Sequence, residues 1–171
     1  MIAKPQPNEY AAFAETYINR AIVFDDVVAA LANQQPETVK LFTGLYAAKG
    51  NYRYADDKWT LKEVLLHMID TERVFAYRAM CVARDEQQNL PGFSENDYTA
   101  NGNADAREMT DLLEEYKAVR AASVWLLRSL TTEQADRIGS ANGRPVSVRA
   151  LAYMMLGHEL HHAHILKERY A

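Results

Sequence analysis

The sequence predicts an all-α fold: a four-helix bundle with a short additional helix at its N-terminus. Three observations lead there. Four long segments repeat apolar residues at three- and four-residue steps. Start signals stand before two of them: Thr60 with Glu63 as a capping box, and Ser147 as an N-cap. No stretch alternates convincingly as a strand, and no internal repeat of roughly 20–50 residues is visible. At 171 residues a single domain over 1–171 is expected, long enough to bury a real core.

Residues 1–8 hold Pro5 and Pro7 and read as an irregular lead-in. Glu9 to Arg20 is the short helix, with Tyr10, Phe13, Tyr17 and Ile18 on one side. From Asp25 a longer pattern runs through Val27, Val28, Leu31, Thr38, Val39, Phe42 and Leu45. Its register is kept across Pro36, which predicts one helix kinked there, a break near Gln34 being the alternative. Gly50 to Lys58 is a polar connection. The next helix runs from the Thr60 cap to Arg84, with Leu61, Val64, Leu65, Met68, Phe75, Ala79 and Val82 facing the core. Asp85 to Ala104 is the longest loop and carries Phe93 and Tyr98. A third long helix spans Asp105 to Leu130. Thr131 to Val146 is a second connection, with a turn signal at Asn142-Gly143. Ser147 opens the last helix, which continues to Tyr170. Both long connections can cross the bundle, so simple up-down-up-down order is not required. Tyr153, Leu156 and Leu160 form a second apolar strip on the last helix, to be covered by the N-terminal segment or another subunit. Trp59, Trp125 and the tyrosines read as core and half-buried packing.

Composition excludes several classes. The net charge of −4 argues against a nucleic-acid or anionic-membrane surface. Cys81 is the only cysteine, so no intramolecular disulfide forms. No apolar run approaches the ~20 residues of a membrane span. The start, MIAKPQPNEY, lacks the apolar region of a signal peptide, and a cytoplasmic location is expected.

The chemistry rests on histidine. Val148, Leu151, Met155, His158, His162 and Ile165 share one face of the last helix, so two imidazoles stand in its core stripe at i and i+4. His67 lies at the edge of the core face of the second long helix, in line with Thr71, Val74 and Arg78. Two hydrogen-bonded core histidines would be the bland reading. A third on another helix favours a divalent metal held by His67, His158 and His162, and imidazole suits zinc, nickel, iron or copper. Three ligands leave a position open for reaction. His161 and His164 fall off this face and are expected at the surface or an interface. His158 to His162 also matches the H-E-x-x-H pattern of metalloproteases, with Glu159 as base. Against that, only nine residues follow His162, no upstream strand is available to hold a peptide, and Glu159 points about 60° or more away from the histidines. A surface or supporting carboxylate is the better reading of Glu159. Glu72 falls inside the apolar arc and needs a cation.

KWTLKEVLLHMIDTERVFAYR (58–78), LPGFSENDY (90–98) and SVRALAYMMLGHELHHAHILKERY (147–170) together resemble the DinB-like family of metal-binding four-helix bundles. Trp59, Thr60, Glu63 and His67 match its tryptophan and Ser/Thr-x-x-Glu opening before a histidine. His158 and His162 match its later pair. The resemblance implies up-down-down-up order, a homodimer, and a three-histidine site for a divalent metal. Some relatives use a low-molecular-weight thiol as transferases or isomerases, and others are described as metal-dependent hydrolases. The expected function is therefore a metal-dependent enzyme acting on a small molecule through activated water or thiol, with zinc or nickel as the metal. Glu63, Asp70 and Glu159 are the carboxylates available for proton transfer. Arg78 is available for an anionic substrate or thiol, although pairing with Glu72 is the plainer reading. Cys81 reads as a packing residue. The alternative is a non-catalytic metal- or ligand-binding stress-response protein, whose site a fourth ligand such as His161 would close. Loop 90–104 would form a lid or pocket wall in the enzyme.

Overall fold

The computed structural model describes residues 1–171. In chain order it contains α1 (Glu15–Ala21), α2 (Val27–Lys49), α3 (Leu61–Ala83), α4 (Glu95–Asn101), α5 (Met109–Arg128), α6 (Thr132–Asp136), β1 (Ile138–Ala141), β2 (Arg144–Ser147) and α7 (Val148–Ile165), whose end passes into a π turn over Leu166–Tyr170. No helix is long and apolar enough to cross a membrane.

Three of the four long helices start where a side chain satisfies their free N–H groups, and α5 starts after Glu108 without one. Asp26 caps α2 by accepting from Val28 and Ala29, and Ser147 caps α7 by accepting from Ala150. The capping box of α3 is complete: Thr60 Oγ1 accepts from Glu63 N at 3.2 Å, and Glu63 Oε2 accepts from Thr60 N at 2.7 Å. α2 continues through Pro36 as one helix.

α2, α3, α5 and α7 form the bundle in up-down-down-up order. α3 and α5 run parallel, because Lys62 reaches the Asp105 carbonyl near their starts and Glu72 meets Arg120 at mid-length. α2 and α7 also run parallel, Tyr153 lying near Phe24 and Glu159 near Thr38. α2 packs on α5 and α7, and α3 packs on the same two. The start of α3 therefore lies beside the end of α7. The apolar core forms one cluster around Leu31, Phe75 and Leu151 and another around Phe42, Leu65 and Leu112. Each fully buried side chain of this kind contributes about 1.5–3 kcal/mol. Between the two clusters lies a polar layer described below.

α1 covers the second apolar strip of α7, and Tyr153 and Leu156 are fully buried there. The approach is close: a Cβ on Gly157 would lie 1.9 Å from the Tyr17 carbonyl oxygen. The N-terminal helix is shorter than expected, because residues 12–14 form a 3-10 turn ahead of Glu15.

Both long connections, expected as loops, carry regular structure. Ser94 caps α4 inside the first. The second holds α6 and an antiparallel hairpin that pairs Ile138 with Ser147 and Ala141 with Arg144. Asn142 and Gly143 turn it with φ of 51° and 68°, the left-handed pair that favours Asn-Gly. Strands of four residues, one holding Pro145, are too short to show alternation. Leu90 joins the hairpin edge by exchanging hydrogen bonds with Ser140 and Asn142, each 2.8 Å. The first connection is thereby pinned over the bundle end. Trp125 departs from the packing expected of it: it is 69 % exposed, with the Arg128 guanidinium over its ring.

Candidate functional site

His67 comes from the second turn of α3, and His158 and His162 from successive turns of α7. Because these helices run antiparallel, their side chains meet. His67 Nε2 and His162 Nε2 lie 2.9 and 3.1 Å from His158 Nε2. One ligand atom from each residue lies within 4.8 Å of the others, and no carboxylate or thiol joins the group. Hydrogen bonding alone does not account for this. An imidazole Nε2 offers one in-plane direction, as lone pair or N–H, yet His158 Nε2 faces two partners. A metal ion at the point of convergence would meet all three lone pairs. Tetrahedral zinc ligands at 2.0–2.1 Å stand about 3.3 Å apart, close to the separations found.

Electrostatics favour the same state. Burial pushes the His67 pKa down to about 4 and that of His162 to about 3. His158 is driven well below its ordinary range by burial and then by His162 and His67. All three are neutral at pH 7, with lone pairs available and no proton to displace. Trp59 lies 4.6 Å from the His67 ring, and Tyr17 meets His158 edge-on at 5.3 Å. Rings locked by packing keep the nitrogens aimed.

His158 opens into a cavity of about 310 Å³ between α1, α3, the start of α7, the hairpin and the loop before α4. Phe75, Phe93, Leu151 and Met154 give it apolar walls, while Thr71, Arg78, Arg144 and Glu95 add polar groups. Phe93 is thus a pocket wall, with Tyr98 packed on it at 5.2 Å and largely exposed.

Behind the histidines lies the polar layer. Arg120 donates to Glu72 at 2.7 and 2.9 Å and to the Leu31 carbonyl at 2.9 Å, and it also pairs with Glu159. Glu159 accepts from Tyr116 at 2.6 Å and from Thr38. Burial alone would lower the Arg120 pKa, but Glu159 and Glu72 outweigh it and hold the guanidinium above its ordinary range.

Several side chains lie elsewhere than expected. Glu159 is no surface group: it is 2 % exposed and bonded within this layer. Glu72 pairs with Arg120, not Arg78, because α5 delivers a guanidinium on the bundle axis while Arg78 lies further along α3 at the cavity. Glu63 is engaged in its capping box, and Asp70 is half-buried against Arg73 at 3.3 Å, its pKa raised by burial. Neither lines the cavity. His161 is half-buried beside Tyr17 at 5.5 Å, and its Nδ1 has no partner. His164 is exposed beside Glu168. Cys81 is half-buried near the end of α3, away from the cavity. Tyr17, Glu95 and Arg144 were not picked out by sequence, since only tertiary packing brings α1, the loop and the hairpin to His158.

A four-helix bundle with a three-histidine cluster that reaches a cavity through His158 is the class that fold and site define. The chain belongs to the DinB superfamily, whose sequence pattern matches residues 30–166. Among solved structures it is similar to YfiT from Bacillus subtilis, described as a probable metal-dependent hydrolase with an unusual four-helix bundle topology. The TM-score is 0.71 at 16% identity, covering 96% of this chain and 90% of that one. No curated protein matches the sequence.

Proposed function

We propose that His67, His158 and His162 hold one divalent metal ion, zinc or nickel, and that the chain is a metal-dependent enzyme of hydrolase or thiol S-transferase type acting on a small molecule. The observation that carries this reading is the convergence of three neutral imidazole nitrogens beside a cavity, with no fourth protein ligand. His161, the residue best placed in sequence to close the site, faces Tyr17 instead, which weighs against a purely structural or storage role. When bound, such an ion polarises a carbonyl and lowers the pKa of water or of a thiol.

The chain's own residues supply the rest. α3 and α7 fix the imidazoles on rigid elements. Phe75, Leu151 and Met154 exclude water from one side of the reactant. Tyr17 keeps its proton at neutral pH, since burial and then Glu95 raise its pKa, so its hydroxyl is available as a donor to a reactant in the cavity. Glu95, on the cavity rim, is the carboxylate placed to accept a proton there. Cys81 lies outside the cavity, so a thiol would arrive on a second molecule.

The test is elemental analysis of untagged protein. About one metal per chain is expected in wild type, in His161→Ala and in His164→Ala, with loss in His67→Ala, His158→Ala and His162→Ala. Metal-dependent turnover is then assayed with ester, amide and thiol-transfer substrates. A wild-type protein that takes up neither zinc nor nickel on reconstitution would refute the reading. Homodimerisation belongs to the same proposal, and light scattering separates the 19.4 kDa chain from twice that mass.

A further inference from the structure

Arg78 is a buried cation without an anion. It is 7 % exposed, donates one N–H to the Pro91 carbonyl at 2.6 Å, and holds its guanidinium 5.8 Å from the centre of the Phe93 ring. The other deeply buried arginine, Arg120, is paired with Glu72 and Glu159, and buried Glu9 is paired with Arg149. Burial lowers the Arg78 pKa, the mark of a charge that its surroundings do not balance. Arg144, on β2, lines the same cavity and forms no ion pair. One acidic group, Glu95, shares that wall with the two guanidiniums, which leaves it net positive. Thr71 lies between His67 and Arg78 on one face of α3 and also lines the cavity. It is 3 % exposed, yet its Oγ1 has no hydrogen-bond partner. A buried hydroxyl and a buried guanidinium, both short of partners and both facing one cavity, mark the places where a ligand's polar atoms belong.

We propose, resting on the small-molecule entry argued above but not on the metal, that the ligand of this cavity is a carboxylate with an apolar body. Arg78 and Arg144 bind the carboxylate at the hairpin end. The body lies against Phe75 and Met154. Thr71 donates to a polar atom nearer the histidines. A guanidinium fork matches the two oxygens of a carboxylate. A phosphate dianion would overbalance a wall that is positive by only one charge and would crowd Glu95. The carboxylate belongs either to the substrate or to a thiol co-substrate.

Calorimetric titration with 4-phenylbutyrate and its neutral amide tests this, on zinc-loaded protein, chelator-stripped protein and His162→Ala. The acid is expected to bind at least tenfold more tightly than the amide in all three. Arg78→Met should lose tenfold or more, and Arg144→Glu, on the exposed rim, should lose a similar factor with the core untouched. N-acetylcysteine that binds more tightly in zinc-loaded than in stripped protein assigns the anion to a thiol co-substrate. Equal binding in the two assigns it to the substrate. Equal affinity for acid and amide overturns the proposal, as does an unchanged affinity in Arg144→Glu. Binding that vanishes with the metal also overturns it, because the carboxylate would then sit on the ion. Since the stripped protein is part of the test, failure of the metal reading and failure of the anion site give different results.

Discussion

Replacing Arg120 by methionine removes the one cation of the polar layer and leaves Glu72 and Glu159 facing each other in the core. The three side chains are almost wholly buried, at 2 %, 6 % and 3 % side-chain exposure for Arg120, Glu72 and Glu159. Water therefore cannot replace the lost donors to Glu72, Glu159 and the Leu31 carbonyl. Breaking a buried ion pair from one side costs about 3–5 kcal/mol. Against a total stability of roughly 5–15 kcal/mol, that is a large share. For a chain of this size each kcal/mol moves Tm by about 2–4 °C, so Arg120→Met should lower Tm by about 6–20 °C. The assay is thermal unfolding followed by far-ultraviolet circular dichroism at pH 7.5, with metal content matched. Adding Glu72→Leu should restore part of the loss, because one of the two uncompensated charges is then gone. A Tm within ~2 °C of wild type for Arg120→Met would refute the charge accounting. The layer would then be solvated in a way that the burial of Glu159 contradicts.

Three further outcomes follow from the packing. Glu9 accepts from Ser147 at 2.9 Å and from Arg149 at 2.7 Å; burial raises its pKa, but these partners outweigh burial and hold it below the ordinary value of 4.5. A carboxyl depressed on folding stabilises the protein above about pH 4.5, and that contribution is lost as pH falls through the folded pKa. Glu9→Gln should thus cost about 1–3 kcal/mol at pH 7, with the Tm gap to wild type narrowing in a pH series as pH falls through the depressed pKa of Glu9. Gly157→Ala would gain about 1 kcal/mol in an isolated helix, yet here its Cβ meets the Tyr17 carbonyl; denaturant unfolding should show a net loss of about 1–3 kcal/mol, and a gain would mean that α1 does not dock as described. Thr71→Val removes an unpartnered buried hydroxyl at nearly constant volume, so ligand-free Tm should hold or rise by about 2–4 °C, whereas a fall would show that Thr71 has a partner in solution.

How far the sequence alone reaches varies from element to element. The four long helices were legible because each keeps a sustained apolar period, and two of them also carry a readable cap: the pairs Thr60–Glu63 and Ser147–Ala150 form as local chemistry dictates. The hairpin at 138–147 was not, although its Asn-Gly turn was visible, because four-residue strands carry no measurable alternation. The short helix over 95–101 was hidden for a similar reason: about two turns inside a run of turn-forming residues have no period to read.

The site divides in the same way. Spacing alone places His158 and His162 on one helical face, and a third histidine at the edge of another core face was visible as well. Those are properties of a single helix, whose geometry local sequence determines. Everything requiring two elements to meet was decided by tertiary structure. Arg120 and not Arg78 answers Glu72, because α5 runs parallel to α3 and delivers its guanidinium on the bundle axis. Glu159, off the histidine face, became a core residue because a helix in the middle of a bundle with α1 packed outside it is buried on more than one side. Arg144 and Tyr17 joined His158 at one cavity from distant points of the chain. Local sequence sets which way a side chain leaves its own helix; what it finds there depends on the order and direction in which the helices pack, a long-range property that a period of 3.6 residues does not contain.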